Sequence, residues 1–350
     1  MKKVENNTPE IETSTTTCVE EGVQTAVATE QVFRKDSLLS RKQKRLIFYI
    51  LMMAVPLIQF AIFYFYVNIN TFRLAFLSFD MLPGGSGYET VFVGFEHFGK
   101  AWDFFISNMD MVKNSLILYV CNLVIVMGFA LFFSYYIAKK YMLAGFFRAI
   151  LYLPHIIASV VLVVLYRYMI TDVYIELVEI FTGRTIDDGV VGLLDASQPV
   201  GTRLAVLIVY ALFIGFGSNV LIFTGTMSGI DNSIIESAQL DGVGVLGEFI
   251  HIYIPLIFPT FTTFVVTGLC TLLTADLHMY TFFGNSPSPG LDVFGYYMYR
   301  NTVNGSLYQK SAKGLSYTEL SALGLIMTAI MVPLTLLVRK LMEKYGPSTN

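Results

Sequence analysis

The chain has 350 residues, 55% of them hydrophobic and only 14% charged, with a net charge of −3. With a mean hydropathy of +0.61 this excludes a water-soluble domain and predicts an all-α, polytopic membrane helix bundle. The slightly acidic balance leaves no electrostatic footprint for nucleic acid, and three cysteines in a tail and in apolar stretches (Cys18, Cys121, Cys270) suggest no disulfide framework.

In chain order, residues 1–33 are rich in Glu, Thr, Val and Asn without an apolar period, and are expected to form a disordered cytoplasmic tail. Arg34, Lys35, Arg41, Lys42, Lys44 and Arg45 follow, a basic cluster that should stay cytoplasmic and meet anionic lipid heads. Residues 46–67 carry no charge, and at about 1.5 Å per residue they cross hydrocarbon about 30 Å thick, with Pro56 at mid-span. The segment 34–114 therefore reads as a first span and a polar external segment. Residues 115–340 read as the transmembrane domain, with spans two to six at 115–138, 149–170, 204–224, 256–277 and 319–338. Lys139, Lys140 and Arg148 place the loop after span two inside. Arg339, Lys340 and Lys344 hold the C-terminus there too, with 341–350 a cytoplasmic tail. Both termini of this multi-pass cell-membrane protein are thus expected in the cytoplasm. Asp276, near one end of span five, is either interfacial or a pathway residue.

Two apparent chemical signals fail. His97, His155, His251 and His278 have no metal-ligand spacing, so no metal is expected. Gly94-x4-Gly99-Lys100 has the outline of a phosphate loop, but Ala101 stands where a hydroxyl residue is required and bulky aromatics fill the interior. No cofactor, catalytic set or enzymatic activity is expected of this chain.

The stretch 229–259 is a hydrophilic interruption between two apolar runs. Ser233 and Glu236 have capping-box spacing, Asp241-Gly242 supplies a turn, a second short helix follows, and Pro255 and Pro259 are expected to start the next span. Taken singly, Glu236 is a cap residue and Gly242 a helix-ending glycine. As a string, Glu236, Ala238, Asp241, Gly242, Phe249, Ile252, Pro255 and Pro259 resemble the conserved cytoplasmic loop of permease subunits in binding-protein-dependent ABC importers. Departures are Ser237 for the first Ala, Val243 for the Ala after Asp-Gly, Asp231 where a Pro is usual, and Glu248 in a commonly basic region. Phe92-Val-Gly-Phe-Glu-His-Phe98 is similar to the Phe-Val-Gly-Leu-Glu-Asn-Phe signature of maltose-type and glycerol-phosphate-type permeases, with Phe95 for Leu and His97 for Asn. Tyr152-Leu-Pro154-His155 resembles the family's Leu-Pro element.

The resemblance implies the type-1 permease fold of about six transmembrane helices. It implies that Glu236, Ser237, Ala238, Asp241, Gly242, Phe249, Pro255 and Pro259 couple the chain to separate cytoplasmic subunits that bind and hydrolyse ATP. It further implies a second permease, an extracytoplasmic solute-binding protein, and a sugar or related solute, with no substrate-contacting residues assigned. The alternative is an ATP-independent secondary transporter, which inverted repeats or mid-span charges would favour and which these spans scarcely support.

Overall fold

The structure, a computed structural model, describes residues 41–81, 87–186, 189–304 and 314–347. The expected tail 1–33, with Arg34, Lys35 and the last residues 348–350, lies outside the described residues. The chain divides into two compact units, Met1–Ile69 and Asn70–Asn350.

The first unit carries most of the first span, Lys42–Ala75, longer than its uncharged stretch because flanking polar residues continue the helix at both ends. None of its apolar window is buried. Pro56 lies inside it without ending it, and a π turn follows at Ala61–Tyr66.

In the second unit the long apolar helices are Met109–Ala138, Val200–Ser228, Val245–Thr271 and Tyr317–Tyr345. Spans two, four and six run past their expected bounds, since flanking turns extend a helix past the hydrocarbon, whereas span five, expected at 256–277, starts at Val245 and stops at Thr271, short of its expected end. The stretch expected as a C-terminal tail is accordingly helical as far as Tyr345.

Span three is not one straight helix. Ala144–Ile156 and Ser159–Thr182 meet at 97°. Pro154 removes a backbone donor in the last turn, and Ile157 and Ala158 then adopt extended dihedrals, so the ladder stops there. Spans three and four touch backbone to backbone at Gly217, where an added Cβ would lie 2.1 Å from the Leu151 carbonyl oxygen.

The described residues of the polar segment after span one form a strand pair and a helix. Leu77–Met81 pairs antiparallel with Tyr88–Phe92, in register Leu77 to Phe92, and Glu96–Ser107 forms a helix whose buried face is His97, Ala101 and Phe105. Gly94 takes φ +58° to turn the chain from strand to helix. Lys100 lies 2.8 Å from Glu96 and 3.4 Å from Glu319, so the apparent phosphate loop is occupied by an ion cluster.

Three apolar clusters hold this unit together. One joins the 96–107 helix to spans five and six and to Phe294–Asn304, through Phe105, Leu269, Phe294, Leu323 and Met327. A second, with Tyr135, Phe223, Met227, Tyr253 and Ile257, packs spans two, four and five where the 229–259 loop begins and ends. The third packs Leu118, Leu207, Tyr210, Met279, Phe282 and Tyr296 at the opposite end. Hydrogen bonds between spans, and from span two to the 290–292 loop, supplement this packing, as polar groups do where lipid offers no partner. Tyr119 donates to the Val265 carbonyl (2.9 Å), Ser134 to that of Val220 (3.0 Å), and Asn114 to those of Gly290 (2.9 Å) and Asp292 (3.1 Å).

Candidate coupling loop and transmembrane cavity

Span four ends at Ser228, and the loop begins with a cap that the Ser-x-x-Glu spacing misplaces. The N-cap is Asp231, whose Oδ1 accepts the Ser233 backbone N–H at 2.9 Å, and the helix runs Asn232–Leu240. Ser233 is therefore already inside the first turn, and Glu236 takes no part in capping. An aspartate two residues upstream fills the orphan donor first, and capping residues compete for that one position. The Ser233 N–H, and then its hydroxyl, hold the Asp231 carboxyl below the usual carboxylate range.

The turn at Asp241-Gly242 is as expected. Gly242 has φ +78°, its N–H donates to the Gln239 carbonyl (3.1 Å) and that of Val243 to the Ala238 carbonyl (3.1 Å). This pair of bonds is a Schellman closure, which requires a left-handed residue after the C-cap.

The second helix does not end after one turn. Val245–Glu248 continues through a π turn at Phe249–Tyr253 into Ile254–Thr271, one path from the loop into span five. Pro255 and Pro259 thus sit within the helix rather than at its start. The missing Pro255 donor falls where the ladder has already slipped by one residue, so the helix survives it.

Glu248, which stands where the resembling family is commonly basic, is buried. Its side chain is 3% exposed and lies 2.5 Å from Lys139 Nζ at the end of span two, with Gln239 Nε2 3.5 Å away. Tyr135, also on span two, donates to the Val245 carbonyl at 3.2 Å and packs on Phe249 and Tyr253. A buried ion pair and an aromatic cluster therefore bolt the base of the loop to the bundle.

The outward surface is what remains. Glu236, Ser237, Asp241 and Gly242 are exposed, and Ala238, Phe249, Ile252 and Pro255 are half-buried on the bundle side. Pro259 is exposed on span five. Composition gave no sign of Leu240 at the tip, 89% exposed, beside Leu246 at 69%. Leu240 thus sits bare next to the exposed Asp241 carboxylate at the end of the 232–240 helix.

Toward the opposite end, spans two, four and five enclose a cavity of about 390 Å³. Its polar lining is Ser115, Tyr119, Asn122, Tyr210, Asn219, Thr267, Thr271 and His278, with no Lys, Arg, Asp or Glu among the described residues of its wall. Asn122 opens a π turn, Asn122–Val126, a distortion that directs side chains away from their α-helical positions. Asp276 lies beyond the end of span five, where its Oδ1 accepts the Tyr280 N–H at 3.2 Å.

No protein-family model matches the chain. It is 22% identical, over 90% of its own length and 94% of the relative's, to the polygalacturonan/rhamnogalacturonan transport system permease protein of Bacillus subtilis (strain 168). It is 21% identical, over 74% and 82%, to the sn-glycerol-3-phosphate transport system permease protein of Pectobacterium atrosepticum. A solved bacterial ABC transporter involved in the import of the acidic polysaccharide alginate matches with a TM-score of 0.68 at 20% identity, covering 86% of this chain and 97% of that one. A bacterial alginate ABC transporter in complex with alginate pentasaccharide-bound periplasmic protein gives 0.65 at 20% identity, over 86% and 96%. The chain has the all-α fold of an ABC importer permease, and its relatives are transport permeases rather than enzymes.

Proposed function

We propose that this chain is one of two permease subunits of an ATP-driven importer, coupled by residues 231–248 to separate ATP-hydrolysing subunits. The observation that carries this reading is the loop itself, a short closed helix presenting Glu236, Leu240 and Asp241 outward from a base locked to span two by Lys139 and Glu248. A rigid knob transmits displacement, since a packed element moves as a body when the partner that holds it closes. Glu236 meets a basic residue of the ATPase subunit, Ala238 lets the helix sit close, and Gly242 allows the sharp exit. With the loop in the cytoplasm, both termini lie there too and the 77–107 segment faces the outside.

The solute is a sugar or related polyhydroxy compound, delivered by an extracytoplasmic binding protein and moved through the cavity between spans two, four and five. Amide, hydroxyl and phenolic groups without a full charge suit hydroxyl-bearing solutes, and aromatic walls suit the flat face of a pyranose. The relatives' names, one of them a polysaccharide transport permease, support the same class.

Reconstituted with its partner subunits, Glu236→Gln should lower solute-stimulated ATP hydrolysis and uptake about tenfold, equivalent to about 1.4 kcal/mol of lost coupling. Its thermal stability should be unchanged, because Glu236 caps nothing. Normal coupled uptake in that variant would remove the charge contact from the account.

A further inference from the structure

Two adjacent non-glycine residues in the turn after span five, Leu277 and His278, hold φ of 52° and 60°. L-residues avoid that region, and a side chain is held there only when its surroundings over-determine it. The surroundings here do so. Immediately after them, Met279 and Phe282 on the short helix Met279–Phe283 are each 1% exposed within the cluster formed with Leu118, Leu207 and Tyr210. On the other side Asp276 caps that helix through the Tyr280 N–H.

The strained pair is directed at the cavity, whose wall includes both Leu277 and His278. His278 Nδ1 lies 3.2 Å from the Tyr210 hydroxyl, and the two rings meet edge to face with centroids 5.9 Å apart. Tyr210, on span four, is 3% exposed, so the tether is fixed. Whichever atom of that pair donates, one imidazole nitrogen is committed to Tyr210 and the other, Nε2, is left for an occupant of the cavity. Backbone strain, a buried tether and a place in the cavity wall converge on one side chain.

We propose that His278 is a solute-contacting residue whose Nε2 hydrogen-bonds a hydroxyl group of a neutral polyhydroxy solute, with Tyr210 as its positioning residue. This rests on the reading of the cavity as the solute pathway. With no Lys or Arg among the described residues of the wall, an imidazole nitrogen there reads and releases a hydroxyl, whereas a fixed cation in the same place would select acidic sugars.

The test uses the complete importer, this chain with its partner subunits in proteoliposomes, and two probes: maltotriose as a neutral trisaccharide and trigalacturonate as an acidic one. Maltotriose uptake is expected to exceed that of trigalacturonate. His278→Ala should raise the KM for maltotriose at least tenfold while the melting temperature of the complex stays within a few degrees. His278→Gln, which keeps an N–H near the Nε2 position, should recover most of that loss, and Tyr210→Phe should raise KM several-fold by freeing the ring. A wild-type KM in His278→Ala, or losses that track melting temperature and are not rescued by Gln, would overturn the assignment of His278 while leaving the pathway reading intact. Preference for trigalacturonate would overturn the neutral-solute part. Uptake of neither trisaccharide by the assembled wild-type importer would instead overturn the pathway reading, and this inference with it.

Discussion

The stretches Ser233–Glu236 and Ser316–Glu319 carry the same four-residue pattern and fold differently. At Ser316 the box closes: its hydroxyl accepts the Glu319 N–H at 3.4 Å, and Glu319 Oε2 accepts the Ser316 N–H at 2.7 Å. Glu319 is then consumed by structure, because its other oxygen also receives Lys100 at 3.4 Å. At Ser233 the box never forms, since Asp231 takes the cap two residues earlier, and Glu236 is left pointing away from the protein. One glutamate anchors the last span to the 96–107 helix, and the other is free for a partner. A motif that is satisfied within the fold stabilises it, and the same motif left open becomes a surface.

This contrast can be broken at several points. The largest effect is expected at the base of the loop, where Lys139→Ala strands the buried Glu248 carboxylate and should cost about 3 kcal/mol, read as a fall in melting temperature of the detergent-solubilised protein. Lys139→Met combined with Glu248→Leu should restore most of that stability, because neither charge is then left alone. Gly242→Val forces a β-branched residue to φ +78° and should cost about 2 kcal/mol locally, visible as faster amide exchange across 232–243. Asp231→Ala should speed exchange in the same segment by a smaller factor than Gly242→Val. The sharpest comparison is the smallest. Ser316→Ala should lose about 1 kcal/mol, while Ser233→Ala should lose less than about 0.5 kcal/mol. Equal losses at the two serines would mean that the loop uses its box after all.

The Asp231 cap also carries a pH sign. Its carboxyl is held below the usual range, so its stabilisation of the 232–240 helix is present near neutral pH and is lost as pH falls through that lowered value. Asp231→Asn should cap comparably without that acid loss.

Much of this molecule was legible in its sequence. Long apolar runs gave five of the spans and the place of the bent pair expected as span three, because few other folds tolerate them, and the string from Glu236 to Pro259 gave the loop. What stayed hidden depended on contacts between distant residues or on competition between near ones. Lys139 and Glu248 pair across span two and the loop, and nothing in either neighbourhood announces the other. The 97° bend after Pro154 required knowing that Ile157 and Ala158 would not resume the ladder, whereas Pro56 and Pro333 are carried inside their helices. The pairing of Leu77–Met81 with Tyr88–Phe92 was obscured because each strand is only five residues long. The cavity could not be read at all, since Asn122, Asn219 and His278 come from three separate parts of the chain.

The central claim is that the tip of the loop docks into an ATP-hydrolysing subunit. A photo-crosslinking residue in place of Leu240, in cells expressing the whole importer, tests it directly. The account predicts an adduct with the ATPase subunit that is lost in a Gly242→Pro background. Labelling of a Leu240→Cys variant by a membrane-impermeant reagent added outside intact cells, with no ATPase adduct, would contradict it.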